Sequence, residues 1–271
     1  MKELLQYAFF QNALIGCLLT GIVCGLVGSY IVARRMVFIS GGIAHASLGG
    51  IGLCALLGLP PITGAAIFSL FTGYSVQTLS QRSEIREDSA IAMLWAFGMS
   101  IGILCAYLSP SFLPSLSNYL FGNILLINTG DLLFLSVLTA ITILVFTLLL
   151  HPIVSIAFDR EFALSQQLPV VRIELLIMTI ICLSVVACLR VAGVVMVISL
   201  MSIPQITAGL FTRHFSTMAI LSVTIAILCC LGGLMISYFY NVPSGASIIL
   251  LSTANYLILR TIKGIKACLY K

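Results

Sequence analysis

The sequence predicts an all-α fold, a polytopic helical bundle in a membrane that occupies residues 1–271 as a single domain. Three observations carry this expectation. Hydrophobic residues make up 61% of the chain and charged residues 8%, whereas a soluble domain carries about 25% charged residues. Apolar runs of about 16–24 residues without strict alternation suit helices and exclude a barrel, because backbone groups in lipid must be satisfied within the chain. The basic residues also fall in or beside alternate loops: Arg34, Arg35, Arg82, Arg86, Arg160, Arg172, Arg213 and the C-terminal Arg260, Lys263, Lys266 and Lys271. Only Lys2 and Arg190 fall opposite. That bias places the N-terminus outside and the C-terminus in the cytoplasm.

About eight or nine membrane segments follow in order. The first covers about 12–33 and ends at Arg34-Arg35, and the second covers about 42–58 before the Pro60-Pro61 turn. The third covers about 62–79. A polar cytoplasmic loop, Gln81 to Asp88, leads to the fourth at about 90–108, capped by Asp88 or Ser89. The outer connection 109–130 holds Tyr119 to Leu125, which is too apolar for a free loop and is expected in the interface or re-entrant. The fifth segment covers about 132–150 and the sixth about 170–189, separated by the longest cytoplasmic connection at about 152–169. The seventh, about 193–211, is broken at Pro204. The eighth covers about 216–238 and the last about 246–259. Met1 to Phe10 lacks a basic start and a small-residue cleavage site, so no cleaved signal peptide is expected.

Small residues recur at helical spacing at Gly21 and Gly25, at Gly42, Ala46 and Gly50, and at Gly98 and Gly102. They are expected to let helices approach closely, within the bundle first and for some of them at a seam between two copies of the chain. Of nine cysteines, most lie in apolar runs without a Cys-x-x-Cys, which reads as packing rather than ligation. The basic residues are scattered as topology requires, so no nucleic-acid partner is expected. The C-terminal run is placed to meet anionic lipid head groups.

The polar residue with most chemical promise is His45, flanked by Gly41, Gly42, Ala44, Ala46, Gly49 and Gly50. Two readings stand: a neutral imidazole that binds a transition metal in a passage, or a packed His hydrogen-bonded to a neighbouring helix. Asp131 reads as a helix-start carboxylate and Arg190 as a cation that snorkels outward. Residues 158–170 read as a short amphipathic cytoplasmic helix capped by Asp159, with Glu161 near its start and Phe158, Phe162 and Ser165 on one face. Two readings stand here as well: a solvated loop between two spans, or a surface offered to a cytoplasmic partner. The chain lacks Gly-x-x-x-x-Gly-Lys-Ser/Thr, His-Glu-x-x-His and Gly-x-Ser-x-Gly, so no nucleotide loop or hydrolytic centre is expected. With only eight acidic residues, and none read deep in the bilayer, a self-driven carrier or channel is a weaker alternative. An intramembrane enzyme is weaker still.

Several stretches resemble the metal-ion family of ABC transporter permeases, the family of the zinc-uptake permease. They are Arg34-Arg35-Met36 with Ile43 to Leu48, Arg86 to Ile91, Tyr119 to Ile124, Phe158 to Ala163, Val191 to Val195, Ile203-Pro204, Thr207-Ala208 and Pro243 to Gly245. The resemblance covers nearly the whole chain in order. It implies the ABC importer permease fold, a homodimer over two copies of a separate cytoplasmic ATPase that binds ATP, and an extracytoplasmic metal-binding protein. It implies a transported divalent metal, zinc first and manganese or iron after it, with His45 in the pathway. Coupling to the ATPase would run through Phe158, Asp159, Glu161 and Ala163. The chain would sit in a bacterial or archaeal plasma membrane as a transport subunit rather than an enzyme. Two positions depart from the family pattern. Many relatives carry Asp four residues before the histidine, where this chain has Gly41, so only His45 is offered per chain. The family loop usually has Gly before Leu-Pro, where this chain has Gln167.

Overall fold

The computed structural model describes residues 7–82, 85–108, 122, 124 and 127–269. The expected interfacial stretch 119–125 lies outside the described residues except for Gly122 and Ile124, and so do Met1–Gln6. No strand occurs among the described residues. The helices are α1 Ala8–Ala33, α2 Val37–Leu56, α3 Pro61–Arg82, α4 Glu87–Leu108, α5 Thr129–Leu148, α6 Leu150–Phe158 and α7 Arg160–Ser165, followed by α8 Val170–Leu200, α9 Ile203–Gly209, α10 Phe215–Tyr240 and α11 Ser244–Leu269. Among the described residues seven segments are long and apolar enough to cross a membrane: α1, α2, α4, α5, α8 as far as Val191, α10, and α11 as far as Ile265. The other two expected segments correspond to α3 and to a shorter apolar stretch, Gly193–Gly209, that is interrupted before α9.

Helix α2 starts earlier than expected, and the cause is local. Arg35 adopts a left-handed φ of 59°. Met36 N–H then donates to the Ile31 carbonyl at 2.9 Å and Arg35 N–H to that of Val32 at 3.1 Å. This pair of bonds is a Schellman stop, so the chain reverses at once and α2 begins at Val37 rather than near residue 42. Helix α4 likewise begins at Glu87, and Asp88 and Ser89 fall inside its first turn instead of capping it. Helix α11 runs beyond its expected end near residue 259, since Arg and Lys are good helix formers even where the apolar pattern stops. Lys263 donates to the Leu210 carbonyl and ties α11 to the end of α9.

The small-residue stripes act within this chain. A Cβ on Gly21 would lie 2.7 Å from Ile227 Cγ1 and one on Gly25 2.6 Å from Val223 Cα, so α1 and α10 meet there. Between α2 and α4 the approach is backbone to backbone. A Cβ on Gly98 would sit 2.6 Å from Ala46 Cα. Gly98→Ala is therefore expected to destabilise the bundle by about 1–3 kcal/mol, the usual range for overpacking. Thermal unfolding in detergent checks this, and an unchanged midpoint would show that α4 shifts freely.

Helix α8 bends at Gly193, whose φ of 77° and ψ of 163° interrupt the helix. That backbone region is open essentially to glycine alone. After a turn at Met201-Ser202, α9 begins at Ile203 with Pro204 in its first turn, where a missing N–H does no harm. The buried Gln205 amide donates to the carbonyls of Cys24 at 2.7 Å and Leu200 at 3.1 Å, pinning α9 to α1.

Candidate functional site

His45 sits further along its helix than expected. It is the ninth residue of α2 (Val37–Leu56), about 12 Å from the helix start at 1.5 Å per residue. Its half-buried ring lies against Trp95 of α4, the centroids 4.4 Å apart and the planes within 9°. Nδ1 is buried and has no hydrogen-bond partner. The reading of His45 as a packed residue bonded to a neighbouring helix thus lacks its hydrogen bond at Nδ1. Trp95 Nε1 donates to Met99 Sδ at 3.0 Å, one turn along α4. At Gly41, a Cβ would meet Ile198 Cδ1 at 3.2 Å. The tip of the Ile198 side chain on α8 therefore lies close against position 41. Among the described residues no group of three or more His, Cys, Asp or Glu is placed to hold a metal. Among the described residues His45 thus has no cluster of further ligands around it.

The end of the bundle that carries Arg34 and Arg160, the basic end, is organised around a residue the sequence reading passed over. Glu174, in the second turn of α8, is only 5% exposed. Its Oε1 lies 3.1 Å from Arg160 Nε and 3.6 Å from Arg34 Nη2. Arg34 Nη1 also donates to the Ile156 carbonyl at 3.2 Å. One carboxylate thus joins α1, α6, α7 and α8. Beside it opens a polar cavity of about 460 Å³, lined by Tyr30, Arg34, Gln77, Glu87, Arg160 and Glu174 among others. Arg34 Nε and Gln77 Oε1 are buried there without partners, and a polar cavity of this size has room for ordered water.

The expected coupling connection, 152–169, is more helical and more buried than a loop. Pro152 is accommodated in the first turn of α6, and Ile153 and Ile156 are fully buried. The expected short helix is present as α7 (Arg160–Ser165), and Asp159 caps it by accepting from Phe162 N–H at 3.0 Å. Phe158 is 65% exposed and Phe162 52%, while Glu161 points outward. Ala163 is fully buried, so it seats α7 against the bundle and presents no surface.

Gln167 resolves the departure from glycine. It adopts the left-handed conformation, φ 57°, and the Schellman bonds form around it: Leu168 N–H to the Ala163 carbonyl at 3.3 Å and Gln167 N–H to that of Leu164 at 3.0 Å. Gln167→Gly should relieve the side-chain strain and stabilise the protein by about 0.5–1 kcal/mol. A melting curve that shifts downward would contradict this.

At the opposite end Asn128, not Asp131, caps α5, its Oδ1 accepting from Asp131 N–H at 2.8 Å. Asp131 instead takes Arg190 Nη2 at 3.0 Å, so the two residues read separately as a helix-start charge and a snorkelling cation are one ion pair. Eight cysteines are free and buried among the described residues, as packing requires.

Apolar spans, a charge knot under an exposed helix at one end and an imidazole midway along one span are the parts of a polytopic membrane protein. The chain belongs to the ABC 3 transport family, whose model matches residues 6–263. It is 39% identical over 258 residues to an uncharacterised membrane protein of Synechocystis, covering 95% of this chain and 92% of that one. It is 32% identical over 251 residues to the manganese transport system membrane protein MntC of Halalkalibacterium halodurans, covering 93% and 86%. PsaBC from Streptococcus pneumoniae, solved in complex with Fab, matches with a TM-score of 0.84 at 30% identity, over 95% of this chain and 93% of that chain. The permease fold expected from the sequence is therefore the fold of this protein.

Proposed function

We propose that this chain is the permease of an importer for a divalent transition-metal ion, with manganese first and zinc second. The observation that carries the metal is the near full-length similarity to relatives named for manganese transport in Halalkalibacterium halodurans and Listeria monocytogenes. Those names weigh manganese above the zinc that the sequence reading put first. His45 supports the reading: it is an imidazole midway along a span, flanked by glycines and without a hydrogen bond at Nδ1. A second copy of the chain, packed where α4 leaves Met93 and Phe97 exposed, would bring two such rings toward one axis. In a homodimer of this kind each chain supplies one ligand, which suits passage rather than storage.

The basic end faces the cytoplasm in this reading, as the charge bias requires. There Phe158 and Phe162 offer an apolar pair to a separate ATPase that binds and hydrolyses ATP. Asp159 holds the helix that presents them, Glu161 adds a charge at its rim, and Ala163 anchors it. An extracytoplasmic metal-binding protein delivers the ion on the other side of a bacterial or archaeal plasma membrane. Glu174 is held by Arg34 and Arg160 in a network that ties the helices of this end together. The test is uptake into proteoliposomes containing the permease and its ATPase. Manganese should accumulate only with ATP, and zinc should compete. Concentrative uptake by the permease alone would overturn the assignment.

A further inference from the structure

A metal-binding imidazole is normally oriented by a hydrogen bond from the ring nitrogen that does not bind. At His45 that device is missing, because Nδ1 is enclosed and unpartnered. The neighbouring position that could have held a carboxylate is Gly41, and Ile198 lies against it. Trp95 is the contact that fixes the ring plane, parallel to it within 9° at 4.4 Å. The indole is itself held independently of His45. Its Nε1 is engaged by Met99 Sδ, and its helix is seated on α2 where Gly98 meets Ala46.

We propose that Trp95 is the positioning residue for metal passage at His45, taking the place of the absent hydrogen-bonded orienter. The proposal rests on the reading of His45 as a ligand given above. The geometry suits it, because a stack occupies the face of the imidazole while its lone pairs lie in the ring plane. A passing ion is therefore not blocked by the indole. Since Nδ1 is enclosed, the ion is met by Nε2. Binding draws electron density out of the imidazole, and a more positive ring is attracted more strongly to the electron-rich indole face. The stack thus favours the loaded ring over the empty one.

Trp95 is the single tryptophan of the chain, so the tryptophan emission of the purified full-length permease reports the surroundings of this one residue, and His45→Ala isolates the part due to the stack. Zinc chloride, a diamagnetic probe, should change that emission, and His45→Ala should abolish the response. In cells lacking their own manganese importer, Trp95→Leu should raise the KM for manganese about five-fold, the fold-change for roughly 1 kcal/mol of lost stacking, with the maximal rate within about two-fold. Trp95→Phe, which can still stack, should restore a near-normal KM. Uptake is normalised to permease in the membrane by immunoblot. Emission indifferent to zinc in the unsubstituted protein, or a normal KM in Trp95→Leu, would overturn the proposal. Should Trp95→Leu fail to reach the membrane, the emission of the unsubstituted protein and the KM of Trp95→Phe decide. Normal uptake by His45→Ala would instead reject the ligand reading itself. A defective His45→Ala beside a normal Trp95→Leu rejects only the part assigned to the indole.

Discussion

Glu174→Ala should be the most destabilising single change at the basic end, lowering stability by about 3 kcal/mol. Removing one partner of a buried ion network leaves its counter-charges uncompensated, and such losses run to about 3–5 kcal/mol. The lower end applies because Arg34 and Arg160 are 25% and 34% exposed and can turn partly toward water. Glu174→Gln should lose less, since the amide keeps the volume and can still accept a hydrogen bond from either guanidinium. Thermal unfolding of the detergent-solubilised protein separates the two variants, and an alanine variant that melts with the unsubstituted protein would sink the argument. A functional effect should accompany the loss. Arg160 lies in α7 and Arg34 leaves α1, so the carboxylate couples the exposed helix to the first span. With that tie cut, the reconstituted complex should go on hydrolysing ATP while uptake falls. Parallel loss of both activities would point to simple misfolding.

His45→Ala should lower metal uptake by at least about ten-fold while leaving the fold intact. Even residues that only support a ligand typically change metal affinity by 10–100-fold, and the described residues offer no cluster to substitute for this one. The ring is half-buried and its Nδ1 makes no hydrogen bond, so its removal breaks no such bond at Nδ1 and mainly forfeits the stack on Trp95. The check is uptake at low external manganese beside a melting curve. Normal uptake would mean that the ion passes elsewhere, whereas a large drop in melting temperature would mean that the ring is mainly mortar between α2 and α4.

The parts legible in the sequence were those written in local spacing. The Gly42, Ala46 and Gly98, Gly102 stripes announced a close helix contact because small residues at helical spacing have few other uses in lipid. Asp159 announced its cap because a short acidic side chain before a helical stretch satisfies a free N–H. What could not be read depends on residues far apart in the chain. Arg34, Arg160 and Glu174 are each ordinary near a membrane surface, and only the packing of α1 and α7 on α8 makes them a network. The pairing of Asp131 with Arg190 was hidden in the same way. The stack of His45 on Trp95 joins two helices, and nothing in the spacing along either one gives their rotation. The early start of α2 was missed for another reason. Arg35 and Gln167 adopt left-handed backbone conformations that a sequence signals through glycine, and neither position carries one.

The bend at Gly193 has a bearing on how such a protein can evolve. Its backbone angles admit essentially no side chain, so every missense change at that codon strains the main chain whatever its polarity or size. Nearby apolar positions can exchange one aliphatic residue for another, yet this one has no conservative neighbour in the genetic code. Descendants that keep the bend are expected to keep the glycine, and a lineage that loses it must straighten the helix or find another way to turn it.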